Sequence, residues 1–202
     1  AVRRAQSNNM EKNNYPIATQ GGKSGACPTH NLVAAYEYVG TPDPENPYAN
    51  RDPRLAASVV TNGSTWNGRV IDQSAGATDD MANANASRTG YYLKKFLTDN
   101  LNLQQGQVAQ HNWIAYRYAE VLLNYAEAMN EAYGPDAVPA GFTMSARQAL
   151  QQVRDRASVK LPKVIAADQE AFREAVKHER RVELAFEDHR YWDLLRWKDA
   201  MD

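Results

Sequence analysis

The sequence predicts a mainly α-helical protein built of helical hairpins, with a loop-rich amino-terminal half that carries one short β-hairpin. Three observations lead there. From His111 onward, apolar residues recur at three- and four-residue steps behind capping residues, the signature of amphipathic helices. Before residue 54 the chain holds six of its nine prolines, Pro16, Pro28, Pro42, Pro44, Pro47 and Pro53, and such punctuation interrupts regular structure. Between the two regions, β-branched and apolar residues flank Asn62-Gly63, a dipeptide suited to the positive φ angles of tight hairpin turns.

Within residues 1–54 only NLVAAYEYV (31–39) has the composition of a short helix or strand. A loop-rich segment this long is uncommon inside a self-contained domain, so it is expected to lie over a scaffold supplied by other residues. LAASVVTNGSTWNGRVID (55–72) reads as a β-hairpin turning at Asn62-Gly63. Small polar residues make 72–90 a loop. YYLKKFL (91–97) is a strand or a short helix, and periodicity over so few residues does not choose.

In WIAYRYAEVLLNYAEAMNEAY (113–133), Ile114, Tyr118, Val121, Leu122, Tyr125, Ala128 and Met129 fall on one stripe, the face a helix turns toward a core. Gly134-Pro135 ends that helix. Ser145 caps a second helix with a stripe of Ala149, Leu150, Val153 and Ala157, which Pro162 stops, and the pair makes an αα-hairpin. Asp168 caps a third helix from about Gln169, in which Phe172, Val176, Glu179, Glu183 and Phe186 share a face.

Carboxylates on a half-buried face require cationic partners. Arg180, Arg181, Arg190 and Arg196 are near in sequence, and Arg154 and Arg156 end the preceding helix. The expectation is a structural ion-pair layer of Glu179, Arg180, Arg181, Glu183, Arg190 and Arg196, with bidentate arginine–carboxylate bonds. A helix break near Asp188-His189 precedes Trp192 and Trp197, which are assigned to the same packed layer.

The bulk properties exclude several functions. Twenty-three Lys and Arg against 24 Asp and Glu give a formal charge of -1, which offers no long-range attraction to nucleic acid. Cys27 is the single cysteine and forms no internal disulfide. No stretch reaches the roughly 18 apolar residues of a membrane-spanning helix. The opening AVRRAQSNNMEKNN lacks the apolar core of a signal peptide, and polar residues ahead of GKSGAC break the pattern of a lipoprotein signal.

Glu174, Glu179, Glu183, Glu187 and Asp193 supply many carboxylates, but a glycosidase needs two across a cleft, and acids hemmed by arginines ionise too readily to act as general acids. His178 and His189 lack the HExxH or repeated ExxH spacing of metal sites. GGKSG lacks the spacing of a phosphate loop, and TPDPEN and TDDMANAN lack the Asp-rich pattern of a calcium loop. No catalytic residue, metal or cofactor is expected. Saccharide binding asks instead for aromatic rings beside Asn, Asp or Arg side chains. Trp66, Asn67 and Arg69 beside the hairpin, with Tyr91 and Tyr92 after the polar loop, form the candidate glycan-binding set; Tyr36, Tyr38 and Tyr48 lie in the irregular region. Core packing is the competing reading for Trp66.

RYAEVLLNYAEAMNEA, ARQALQQVRDRA followed by LP, and ERRVELAFEDHRYWDLLRW together resemble the carboxyl-terminal part of the SusD/RagB family, the surface glycan-binding lipoproteins of Bacteroidetes. PYANRDPRL, WNGR and RTGYYLKKF resemble that family as well, in the expected order, so the likeness covers residues 28 to 197. It implies that residues 1–202 are a carboxyl-terminal SusD-like fragment, with an irregular loop and hairpin region over 1–110 and a tetratricopeptide-repeat-like helical region over 111–202. It implies non-catalytic capture of an oligosaccharide or polysaccharide for delivery to a SusC-like TonB-dependent transporter. The same resemblance places the protein at the surface of the outer membrane, held by a lipid anchor in a segment outside this sequence. RagB-like binding of peptides for uptake and a helical-repeat scaffold for other proteins remain the alternatives.

Overall fold

A computed structural model describes residues 6–112 and 114–201. Trp113, with which the first predicted helical stretch begins, lies outside the described residues. In chain order the elements are β1 (Gln6–Ser7), α1 (Met10–Asn14), α2 (His30–Ala35), α3 (Pro53–Ser58), β2 (Val59–Val60), β3 (Thr65–Trp66), β4 (Arg69–Val70), β5 (Tyr92–Leu93) and β6 (Gln110–His111). The longer helices follow: α4 (Tyr118–Tyr133), α5 (Ala146–Arg154), α6 (Gln169–Glu183) and α7 (His189–Trp197), then a 3-10 turn at Asp199–Met201. The architecture is mainly helical, with strands confined to short antiparallel pairs. Contacts divide the chain into one unit from residues 1–34 and 55–113 and another from 35–54 and 114–202.

The first unit is tied by three two-stranded ladders, β1 with β6, β2 with β5 and β3 with β4. Val59 opposes Leu93 and Val60 opposes Tyr92, so the open choice for residues 91–97 resolves as a strand. The hairpin exists, but its turn is Asn67-Gly68 rather than Asn62-Gly63. Trp66 pairs with Arg69 across it, and Asn67 and Gly68 have φ of 51° and 73°, the two successive positive values of a tight primed turn. Asn62-Gly63 forms a separate turn, with the Ser64 amide donating to the Thr61 carbonyl at 3.1 Å. Both dipeptides satisfy the local rule. Burial chose between them: Trp66 and Ile71 join Tyr15, Val60 and Tyr92 in one core, with Leu97, Leu101 and Leu103 packed on its edge.

In the second unit α4, α5 and α6 share a core of Ala119, Leu122, Leu123, Ala126 and Met129 with Ala149, Leu150, Val153, Phe172 and Val176. The face of α4 is therefore rotated from the predicted stripe. Ile114, Tyr118, Val121 and Ala128 point to solvent, Tyr118 being 67% exposed. The physical reason is size: Ala119 and Ala126 let neighbouring helices approach closely, which bulky Tyr118 and Val121 would prevent. The caps follow the sequence. Ser145 and Gln148 form a reciprocal capping box, and the Asp168 carboxylate accepts the Ala171 amide at 2.8 Å. Helix α5 ends at Arg154, so Ala157 falls beyond it and is exposed. Phe186 likewise lies past the end of α6, in a turn where it and Asp188 adopt φ of 65° and 62°.

Candidate functional site

The densest chemistry lies along α6. Glu179 and Glu183 sit one helical turn apart on its buried face, both almost wholly shielded from solvent. Arg54, from the loop-rich region, reaches both: its Nη1 lies 2.5 Å from Glu179 Oε1 and 2.8 Å from Glu183 Oε2. Its other nitrogens grip Asp52, with Nη2 at 2.6 Å from Oδ2. Arg154 donates to Glu179 Oε2 at 2.7 Å and to Glu37 at 2.9 Å. Arg117 and Arg156 close the array on Glu183 Oε1 at 2.5 and 2.6 Å, and Arg117 Nε also donates to Glu187 at 2.6 Å. Burial by itself would raise the Glu183 pKa, but donation from Arg117, Arg54 and Arg156 overrides it and holds the carboxyl at about 2. Glu37 is likewise lowered by its bond from Arg154.

A second array ties α6 to α7. Arg180 grips the buried Asp193 with two bonds of 3.0 Å and donates to Asn124 at 2.6 Å. Arg196 donates to Asp193 at 2.8 Å and pairs with Glu127, which also accepts the Trp197 indole N–H at 2.9 Å. The Arg196 guanidinium lies 4.5 Å from the centre of the Trp197 ring.

Of the arginines expected to neutralise Glu179 and Glu183, Arg154 and Arg156 do so, whereas those nearest in sequence do not. Arg180, on α6, and Arg196, on α7, serve Asp193 instead, because their positions turn them to another face. Arg190 is exposed and makes no ion pair among the described residues, and Arg181 is half-buried. Arg54 and Arg117 are the partners that sequence reasoning missed. They are separated from Glu183 by 129 and 66 residues, and a buried carboxylate in need of charge was the one signal that they had to exist. Trp197 is packed as expected, whereas Trp192 is 65% exposed and stands outside the layer.

The candidate glycan-binding set divides as well. Trp66 is only 3% exposed and meets Tyr15 edge-on at 5.3 Å; Tyr92 is fully buried and Tyr91 nearly so. These three rings are core residues, so none offers a face for stacking on a sugar. Tyr36 is buried too, and the ring of Tyr38 is covered by the Arg51 guanidinium at 4.4 Å. Asn67 and Arg69 remain at the surface. Arg69 donates to the Ala18 carbonyl and, at 3.3 Å, to Thr78.

Asn67 opens onto a cleft of about 300 Å³ lined by Thr19, Gln20, Asn100, Leu101, Asn102, Leu103 and Gln104. All of it belongs to the first unit. The lining carries no charge: amides and one hydroxyl surround a floor of two leucines that pack onto the Trp66 core. The side chains of Gln20, Asn67, Asn100 and Gln104 make no hydrogen bond among the described residues, so their donors and acceptors are open to a ligand. Asn100, like Asn67, sits in a left-handed turn, which asparagine tolerates better than most residues. Among the described residues no group of His, Cys, Asp and Glu is placed to hold a metal ion, and no helix is long and apolar enough to cross a membrane.

The model of the SusD family matches residues 2–202. The chain belongs to the SusD family. Its fold superposes on a SusD-like carbohydrate binding protein of Bacteroides fragilis with a TM-score of 0.78 and 33% identity, over 94% of this chain and 38% of that one. A second SusD-like protein of Bacteroides fragilis superposes at 0.75 with 26% identity, over 97% of this chain and 43% of that one. SusD-like protein P25 of Formosa agariphila is 32% identical over 168 residues, 73% of this chain and 30% of that protein. The chain therefore spans less than half the length of each of these three proteins. Its helices are the tetratricopeptide-like hairpins of this SusD-like fold.

Proposed function

We propose that the protein captures neutral oligosaccharides at the bacterial cell surface without cleaving them, and passes them to a SusC-like TonB-dependent transporter of the outer membrane. The observation that carries the reading is the uncharged, amide-rimmed cleft beside Asn67 on a SusD-family scaffold. Sugar hydroxyls both donate and accept hydrogen bonds, and amide side chains answer in both senses without the desolvation cost of a charge. Leu101 and Leu103 supply apolar surface for the C–H faces of a pyranose. In this reading Asn67 contacts the ligand, while Arg69 acts by position, fixing the Ala18 carbonyl next to Thr19 and Gln20. Trp66, Tyr91 and Tyr92 build the platform beneath.

The carbohydrate-binding relative at 33% identity supports the ligand class. The α6 acids support binding over hydrolysis. A glycosidase requires one protonated carboxyl near neutral pH, whereas Glu183 is held at about 2 and Glu179 lies between two guanidinium groups. Calorimetry against panels of neutral oligosaccharides and of peptides, with an assay for released reducing ends, tests the reading. Saccharide binding without cleavage, weakened about tenfold by Asn67→Gly, is the expected result; glycine keeps the turn and removes only the amide. Peptide binding alone would move the assignment to RagB-like uptake, and release of reducing ends would overturn it.

A further inference from the structure

A second cavity, of about 540 Å³, lies where α6 turns into α7, lined by Leu184, Phe186, Asp188, Arg190, Tyr191 and Trp192 together with His189. Its rings are open. Tyr191 and Trp192 are 64% and 65% exposed, with centres 5.2 Å apart and planes at 76°, so one ring can serve as floor while the other forms a wall. Their placement is fixed in advance. The left-handed residues Phe186 and Asp188 set the turn, and Asp193, held by Arg180 and Arg196, locks the register of α7. Pre-set aromatic surface loses little entropy on binding.

Charge gives the occupant its chemistry. Arg147, Arg154, Arg173 and Arg180 on neighbouring helices each hold a carboxylate, but Arg190 holds none among the described residues. His189 is turned to Glu120, 3.6 Å away. Asp188, exposed at the rim, is the one carboxylate in the lining.

We propose that this cavity binds a saccharide unit bearing an acidic group, a uronate carboxylate or a sulfate, with the sugar ring stacked on Trp192 against Tyr191 and the anion paired to Arg190. Asp188 accepts bonds from ring hydroxyls. The site lies in the second unit and shares no lining residue with the amide-rimmed cleft, though it rests on the saccharide-binding reading above. It extends the ligand class from neutral to anionic sugars.

The test is calorimetry on the protein with uronate and sulfated trisaccharides, each beside its methyl-esterified or desulfated counterpart, at low and high salt. At least one acidic probe is expected to bind about tenfold tighter than its neutral counterpart, and the advantage should shrink with salt. Arg190→Gln should bring that probe down to the affinity of its counterpart, and Trp192→Ala should weaken it by about tenfold. The preference of the panel, carboxylate or sulfate, identifies the source of the anion. No acidic preference anywhere in the panel, or a preference that survives Arg190→Gln, would overturn the proposal. So would protection of Trp192 from oxidative footprinting in the unliganded protein, which would mean that other polypeptide surface covers the rings. Neutral binding that depends on Asn67 without any acidic preference would remove this site and leave the cleft standing, whereas silence from every probe would remove both.

Discussion

The two units solve the same problem with opposite chemistry. In the first, short ladders and loops are held by an apolar aromatic centre of Tyr15, Trp66 and Tyr92, and the cleft beside Asn67 is uncharged. In the second, long helices carry an aliphatic core on one side and a buried lattice of arginines and carboxylates on the other. The difference teaches that abundant charge is not the same as available charge. Lattice charges are consumed by one another, and paired buried ions have little left to offer a ligand.

The largest effect should come from breaking the lattice. Glu183→Gln leaves Arg54, Arg117 and Arg156 short of a buried counter-charge and is expected to cost about 3–5 kcal/mol in urea unfolding. A loss below 1 kcal/mol would mean that the array is incidental to the second unit.

Acid should separate the units next. The Glu183 pKa, depressed from 4.5 to about 2, contributes stability that is complete above pH 4.5 and lost as the pH falls toward 2, about 3 kcal/mol in all. Asp79, in the first unit, runs the other way. Burial raises its pKa although it accepts the Ala18 amide at 3.1 Å and the Tyr92 hydroxyl at 3.3 Å, so its contribution improves as acid protonates it. Hydrogen exchange between pH 5 and about 2.5 should therefore show α6 losing protection before β2 and β5 do. Simultaneous loss would erase the contrast.

Trp66→Phe probes the aromatic centre. The indole N–H has no hydrogen-bond partner among the described residues, so only ring volume is lost, and the expected cost is about 1–2 kcal/mol by urea unfolding. A cost near 4 kcal/mol would reveal a bond absent from this structure. Smallest of all, Tyr118→Ser on the open face of α4 should shift stability by no more than about 0.5 kcal/mol. A larger loss would mean that the predicted stripe, and not the observed one, packs in solution.

Local chemistry was legible in the chain. Ser145 and Asp168 announced their helices because a cap needs only a side-chain oxygen and a nearby amide, and Gly134 ended α4 for the same short-range reason. Phe172, Val176, Glu179 and Glu183 lie on one face because helical geometry alone puts them there. Sequence also indicated that buried acids require guanidinium partners. Tertiary structure decided the rest: which arginines arrive, since Arg54 and Arg117 come from distant segments; which of two Asn-Gly pairs turns the hairpin; and which side of α4 is inside. It also decided that Trp66 is core while Trp192 is open. Periodicity fixes the angles between side chains on one element, but the side that meets a neighbour is set by the combined packing of elements that no local rule contains.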